Sequence, residues 1–178
     1  MDSLLPIAAH PDQTSEKIQL VTFRLYRQIL AIPIEPLFQI IEMVTILPLP
    51  KAESPVEGVI NVRGKMTPVL DLRRLLHLAV SPYGLHTPIL LVNLKNQMTG
   101  LIVDEVINVH AVAVNEIAKP ADFLPQQLGE ITALKGIVQI AEGAAMLLDL
   151  DHLLDPGQEL ALAHAFEVLE KSATKKPA

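Results

Sequence analysis

The longest apolar runs along this chain, such as Ile89–Val92 and Ala144–Leu148, are too short for most helices and well sized for strands. Val21, Phe23 and Leu25 alternate with Thr22, Arg24 and Tyr26, the period-two pattern of a half-buried strand. Comparable segments occupy 29–34, 38–47, 56–62 and 66–72. A turn-rich break at Ser81-Pro82-Tyr83-Gly84 follows, and then 89–94, 98–103, 106–114, 137–141 and 145–150. Ten short strands divided by Pro, Gly and Asn predict barrels or a sandwich rather than βαβ layers. Helix is sparse. The pattern places one over 156–171, opening at Pro156-Gly157 with Leu160, Ala163, Phe166 and Leu169 roughly along one side. Shorter helical turns are expected at 72–78 and 151–155. Residues 1–17 and 172–178 read as tails.

An internal repeat organises these strands. At a constant offset of 78, the segment 58–76 aligns with 136–154. The identities are Gly58/Gly136, Leu70/Leu148, Asp71/Asp149, Leu72/Leu150, Leu75/Leu153 and Leu76/Leu154. Val59/Ile137, Ile60/Val138 and Val62/Ile140 exchange one apolar residue for another. A weaker match joins 23–37 to 92–106 at an offset of 69. Two copies of one five-stranded unit are therefore expected, repeat one over about 18–80 and repeat two over about 86–155, with strands free to exchange between them.

Composition removes several classes of function. The chain of 178 residues is half apolar and carries a net charge of −6. An acidic surface is unsuited to wrapping a phosphate backbone or adhering to anionic lipid, so neither a nucleic-acid partner nor membrane insertion is expected. With no cysteine there is no disulfide, thiolate nucleophile or Cys-ligated zinc. Neither a basic start with a long apolar core nor a run of roughly 18 apolar residues occurs, and a cytoplasmic location is the expectation.

Chemistry-bearing residues are few. Gly58 through Lys65 loosely resembles a phosphate loop, but its spacing is wrong and Met66 stands where a hydroxyl is needed. Asp71 and Asp149 occupy equivalent places in the two repeats. As a carboxylate pair, with His152, they would suit a metal- or acid/base-dependent enzyme. The simpler reading makes each an N-cap for the helical turn that follows, LRRLL or LDHLL. No cofactor or metal site is expected. Arg63 stands out because its repeat partner is Ala141, so the duplicated fold does not require a cation there. It either pairs internally with Glu35, Glu42 or Glu57, or it faces another protein.

The run Gly58-Val-Ile-Asn-Val-Arg-Gly64, followed by Pro68-Val-Leu-Asp-Leu72, resembles the signature of the CheW family of chemoreceptor adaptors. The strand Val21–Leu25, I-P-I at 32–34, Pro48 and Pro50, G-L-I-V-D-E-V at 100–106 and L-L-D-L at 147–150 follow in the family's order. The similarity covers about residues 18–155. It implies an all-β fold of two intertwined, five-stranded SH3-like barrels with a hydrophobic groove between them, followed here by the C-terminal helix. It also implies a non-enzymatic adaptor joining the cytoplasmic tip of a methyl-accepting chemoreceptor to the regulatory domain of a CheA-type histidine kinase. Such an adaptor is recruited to membrane-associated receptor arrays. The same domain serves type IV pilus and other chemosensory pathways. Arg63, Asn61, Gly58 and Gly64 match the family's partner-binding motif, and Leu37 and Gln39 fall in its receptor-facing region. Gln39 departs from the glutamate many members carry, and Gly143-Ala144-Ala145 replaces a charged turn.

Overall fold

The computed structural model describes residues 15–123 and 133–175. Ten strands are present: β1 (Lys17–Leu25), β2 (Gln28–Pro33), β3 (Leu37–Glu42), β4 (Val56–Val62), β5 (Lys65–Asp71), β6 (Pro88–Leu94), β7 (Gln97–Ile102), β8 (Glu105–Ala113), β9 (Leu134–Ile140) and β10 (Gly143–Leu148). Helices are α1 (Leu72–Leu75), α2 (Pro120–Phe123) and α3 (Pro156–Thr174), with single 3-10 turns at Val114–Glu116 and Leu150–His152.

The strands form two five-stranded sheets, ordered β8-β1-β2-β10-β9 and β3-β6-β7-β5-β4. Each sheet takes two strands from one repeat and three from the other. The repeats meet at two pairs in each sheet, the antiparallel β1–β8 and β3–β6 and the parallel β2–β10 and β5–β7, the latter with Ala31 opposite Leu147 and Gly100 opposite Val69. Every other pairing is antiparallel. Each ladder is open, and a single bridge ties its two edges. Leu47, beyond β3, exchanges two 2.8 Å bonds with Val59 of β4; Ala118, beyond β8, does the same with Ile137 of β9 at 2.8 and 2.9 Å. The expected barrels are thus two curled sheets held shut by isolated bridges.

Three apolar clusters explain why so many strands are oily on both faces. One cluster (Ile60, Val69, Ile89, Leu91, Ile102) lies within the second sheet, and another (Leu20, Ala31, Val112, Val138, Ala145, Leu147) within the first. The largest is shared: Val21, Phe23, Leu30 and Ile32 pack with Leu70, Leu72, Leu90, Leu101, Leu148 and Leu150. Adjacent residues along a strand, such as Leu90 and Leu91, therefore enter different cores. Leu162, Ala161 and Ala165 of α3 cap the shared core.

Several boundaries differ from the sequence pattern. The strand expected over 38–47 ends at Glu42, because the chain leaves β6 to cross β4 at Leu47. β1 begins at Lys17, inside the expected tail, since Lys17 pairs with Ala113. Residues 1–14 and 176–178 lie outside the described residues. The final helix continues to Thr174 rather than stopping at Lys171, supported by the Lys171–Glu167 ion pair and by Ser172 Oγ donating to the Val168 carbonyl at 2.8 Å. The helical turn at 72–78 is hydrogen-bonded as helix only through Leu75.

Candidate functional site

The tip of the β4–β5 hairpin carries the residues that the motif singled out. Val62 pairs with Lys65, leaving Arg63 and Gly64 as a two-residue loop with φ of 50° and 86°. Positive φ at both positions defines the type I′ turn, whose twist suits a hairpin. Asn61 Oδ1 accepts the Gly64 N–H at 2.7 Å and braces the turn from below. A Cβ on Gly64 would meet nothing within 4 Å, so its surroundings are open. Asparagine or glycine is the usual choice at the first loop position, and an L-residue with a long side chain is strained there by about 1 kcal/mol. Arg63 occupies that position nonetheless, and it is exposed.

Its guanidinium meets no carboxylate among the described residues. Arg63 Nη2 donates to Gln39 Oε1 of β3, a long contact of 3.4 Å. Two of the acids that could have neutralised it are engaged elsewhere. Glu57 pairs with Arg74 at 2.6 Å, and Glu42 with His86 at 3.0 Å. The internal salt bridge that the sequence left open is therefore not formed. Gln39, Arg63, Asn61 and Gly64 share one exposed face, with half-buried Leu37 behind them against the shared core.

Gly58 is set apart from this group by burial. Its φ is +151°, and a Cβ there would sit 2.3 Å from the Leu47 carbonyl oxygen. Gly136 repeats the arrangement, with an added Cβ 2.7 Å from the Ala118 oxygen and 2.5 Å from Ile117 Cγ2. Both glycines exist so that the closing bridge of each sheet can lie against the strand beneath it. Gly58 is buried, and its place in the motif is accounted for by the strand that crosses it at Leu47.

The two aspartates are caps. Asp71 Oδ1 accepts the Arg73 N–H at 2.9 Å, and Asp149 Oδ1 accepts the Asp151 N–H at 3.1 Å. They end strands of different sheets. Asp71 is sealed from solvent, and its oxygens also take Arg73 Nε and Nη2 and, at 2.6 Å, the Tyr83 hydroxyl. Burial, together with the hydrogen bond to this carboxylate, raises the Tyr83 hydroxyl well above the ordinary phenol range. Arg73 is 1% exposed, and it reaches on to Asp104 at 3.0 Å and Ser81 at 2.7 Å. Asp104 in turn accepts the Tyr26 N–H at the β1–β2 turn. This ionic node joins the end of β5 to the other sheet. Its arginine is not legible in the sequence, because the repeat places Asp151 at the equivalent position.

His152 does approach Asp149, its Nδ1 2.8 Å from Oδ2, because the 3-10 turn folds residues three apart onto one side. Burial pushes the Asp149 carboxyl up, but the His152 bond and the Asp151 N–H outweigh it and hold the group below its ordinary value. Nothing assembles round the pair: no group of three metal-ligating side chains occurs among the described residues. An apolar groove of about 540 Å³ lies between α3 and the β6–β7 turn, lined by Leu154, Leu160 and Ala163 beside the Lys95–Glu159 pair. None of the motif residues lines it.

Residues 19–157 match the family model described as CheW-like domain. The chain is 30% identical over 152 residues to a chemotaxis protein CheW of Treponema pallidum, covering 82% of this chain and 86% of that one. It is 29% identical over 167 residues to the protein FrzA of Myxococcus xanthus, covering 91% and 98%. The crystal structure of the scaffolding protein TtCheW from Thermoanaerobacter tengcongensis superposes with a TM-score of 0.69 at 26% identity, over 78% of this chain and 92% of that one. Duplicated sheets, a motif-bearing hairpin tip and aspartates occupied as caps agree with these matches, and the chain belongs to the CheW-like family of chemotaxis adaptors, which are scaffolds and not enzymes.

Proposed function

We propose that this protein couples methyl-accepting chemoreceptors to a CheA-type histidine kinase in the cytoplasm, at membrane-associated receptor arrays. The face formed by Arg63, Asn61, Gly64, Leu37 and Gln39 is its partner surface. The observation that carries this reading is Arg63, a cation held out in a strained turn with only a neutral amide beside it. Such a residue contributes little to its own fold, and arginine is over-represented where binding energy concentrates. A partner carboxylate would give it a charge-assisted, bidentate bond. No helix among the described residues is long and apolar enough to cross a membrane.

The test is calorimetric titration of the full chain with a soluble receptor signalling tip and with an isolated CheA regulatory domain. Arg63→Ala is expected to weaken binding by roughly 1–3 kcal/mol while leaving the melting temperature unchanged. Folded protein that binds neither partner overturns the reading. A melting temperature that falls while affinity holds would make Arg63 structural instead.

A further inference from the structure

We infer that Phe38 is the apolar anchor of this surface, and that the segment docking on it is acidic and amphipathic, belonging to another protein. The inference rests on the adaptor reading and adds to it the chemistry of the partner. β3 pairs with β6 through Leu37 opposite Val92 and then Gln39 opposite Leu91, so Phe38 is bulged out with no cross-strand neighbour. The same bulge is duplicated in β8, where Val106 opposes Phe23 and Asn108 opposes Thr22, leaving Ile107 between them. Ile107 is half-buried, whereas Phe38 is 64% exposed. The repeat therefore requires the bulge but does not require an exposed aromatic in it. In a chain with four phenylalanines and no tryptophan, that exposure is costly.

Phe38 does not stand alone. Ile40 of β3, and Val44 and Leu47 on the segment that leaves it, are also exposed, making the stretch from 38 to 47 the densest run of exposed large apolar residues among those described. Gln39, next to Phe38, holds the Arg63 guanidinium, so the apolar run adjoins an unneutralised cation. An occupant that satisfies both must bring an apolar side chain and a carboxylate together. A second copy packed through this same face is disfavoured as that occupant, since a two-fold contact brings another Arg63, not a carboxylate, to the cation.

Binding of full-length protein to the receptor signalling tip and the kinase regulatory domain, measured on Phe38 variants, tests this. Phe38→Ala should lower affinity for one of the two about tenfold or more, with the melting temperature unchanged, and Phe38→Leu should recover most of the loss. Added salt should weaken wild-type and Phe38→Ala binding alike, and should act less on Arg63→Gln, which has lost the charge contact. Phe38→Ala with full affinity for both partners, beside an Arg63→Ala that has lost it, overturns the inference and leaves the adaptor reading standing. Wild type that binds neither overturns both. Sedimentation that shows a dimer dispersed by Phe38→Ala would assign the face to a second copy and overturn the heterologous partner.

Discussion

At the scale of single residues, two glycines of one motif do different work. Gly58 lies under a crossing strand, with the Leu47 oxygen 2.3 Å from where a Cβ would go. Gly58→Ala must push that strand away and break the bridge to Val59, and a loss of about 2–3 kcal/mol in chemical denaturation is expected. Gly64→Ala meets no atom and carries only the cost of a left-handed residue, about 1 kcal/mol. Equal losses at the two sites would refute this division. Arg73 is the third residue on which much depends. It lies between Asp71 and Asp104 with almost no solvent. Replacing it by methionine strands a buried carboxylate, and about 3–5 kcal/mol should be lost. The charge pattern gave no warning of this, since Arg73 and Arg74 read alike in LRRLL although Arg74 pairs at the surface with Glu57. Burial of one arginine depends on Asp104 arriving from another part of the chain, which no local spacing encodes.

At the scale of elements, the strands were legible because the same apolar alternation that predicts them is what fills the three cores. The backbone of the hairpin turns was not legible, since Tyr26, Arg63, Lys95 and Asn96, none of them glycine, all take positive φ. The bulges at Phe38 and Ile107 were hidden, since one extra residue in an edge strand changes pairing without changing composition. Motif residues could be named from the sequence, but only the bend of β3 toward the β4–β5 tip shows that Gln39 meets Arg63. The two aspartate caps also differ in a measurable way. Asp149 has its carboxyl held below the ordinary range by His152 and the Asp151 N–H. A folded-state value lower than the unfolded one adds stability that is present above the unfolded value and is lost as pH falls through the folded one. Stability should therefore decline below about pH 4, and part of that decline should vanish in Asp149→Asn. The pair is partly solvated, so the difference should stay under about 1 kcal/mol. An unchanged acid limb in the variant would show that His152 contributes nothing to the cap.

At the scale of the whole molecule, duplication did not yield two independent halves. Strands β1 and β2 lie between β8 and β10 of the other repeat, and β6 and β7 lie between β3 and β5. The core that Leu72 enters is built from both sheets and covered by α3. Leu72→Ala should accordingly cost on the order of 2–5 kcal/mol and lower a single cooperative transition rather than one of two. The interleaving has a sharper consequence at the connection between repeats. Leu85 is the most exposed of the large apolar residues described, and the chain around it belongs to no strand. A break between Gly84 and Leu85 would cut the covalent link without touching a ladder. Met1–Gly84 alone would hold the hairpins β1–β2 and β4–β5 with no strand to join them, since β2 needs β10 and β5 needs β7. Each fragment should therefore be unstructured alone by circular dichroism and amide exchange. Mixed at equal concentration, the two should recover the strand signal and bind one another, because every ladder is re-formed by association. A fragment that folds and melts cooperatively by itself would mean that its repeat can close its own barrel, and that the exchange of strands is a choice between two arrangements of similar stability.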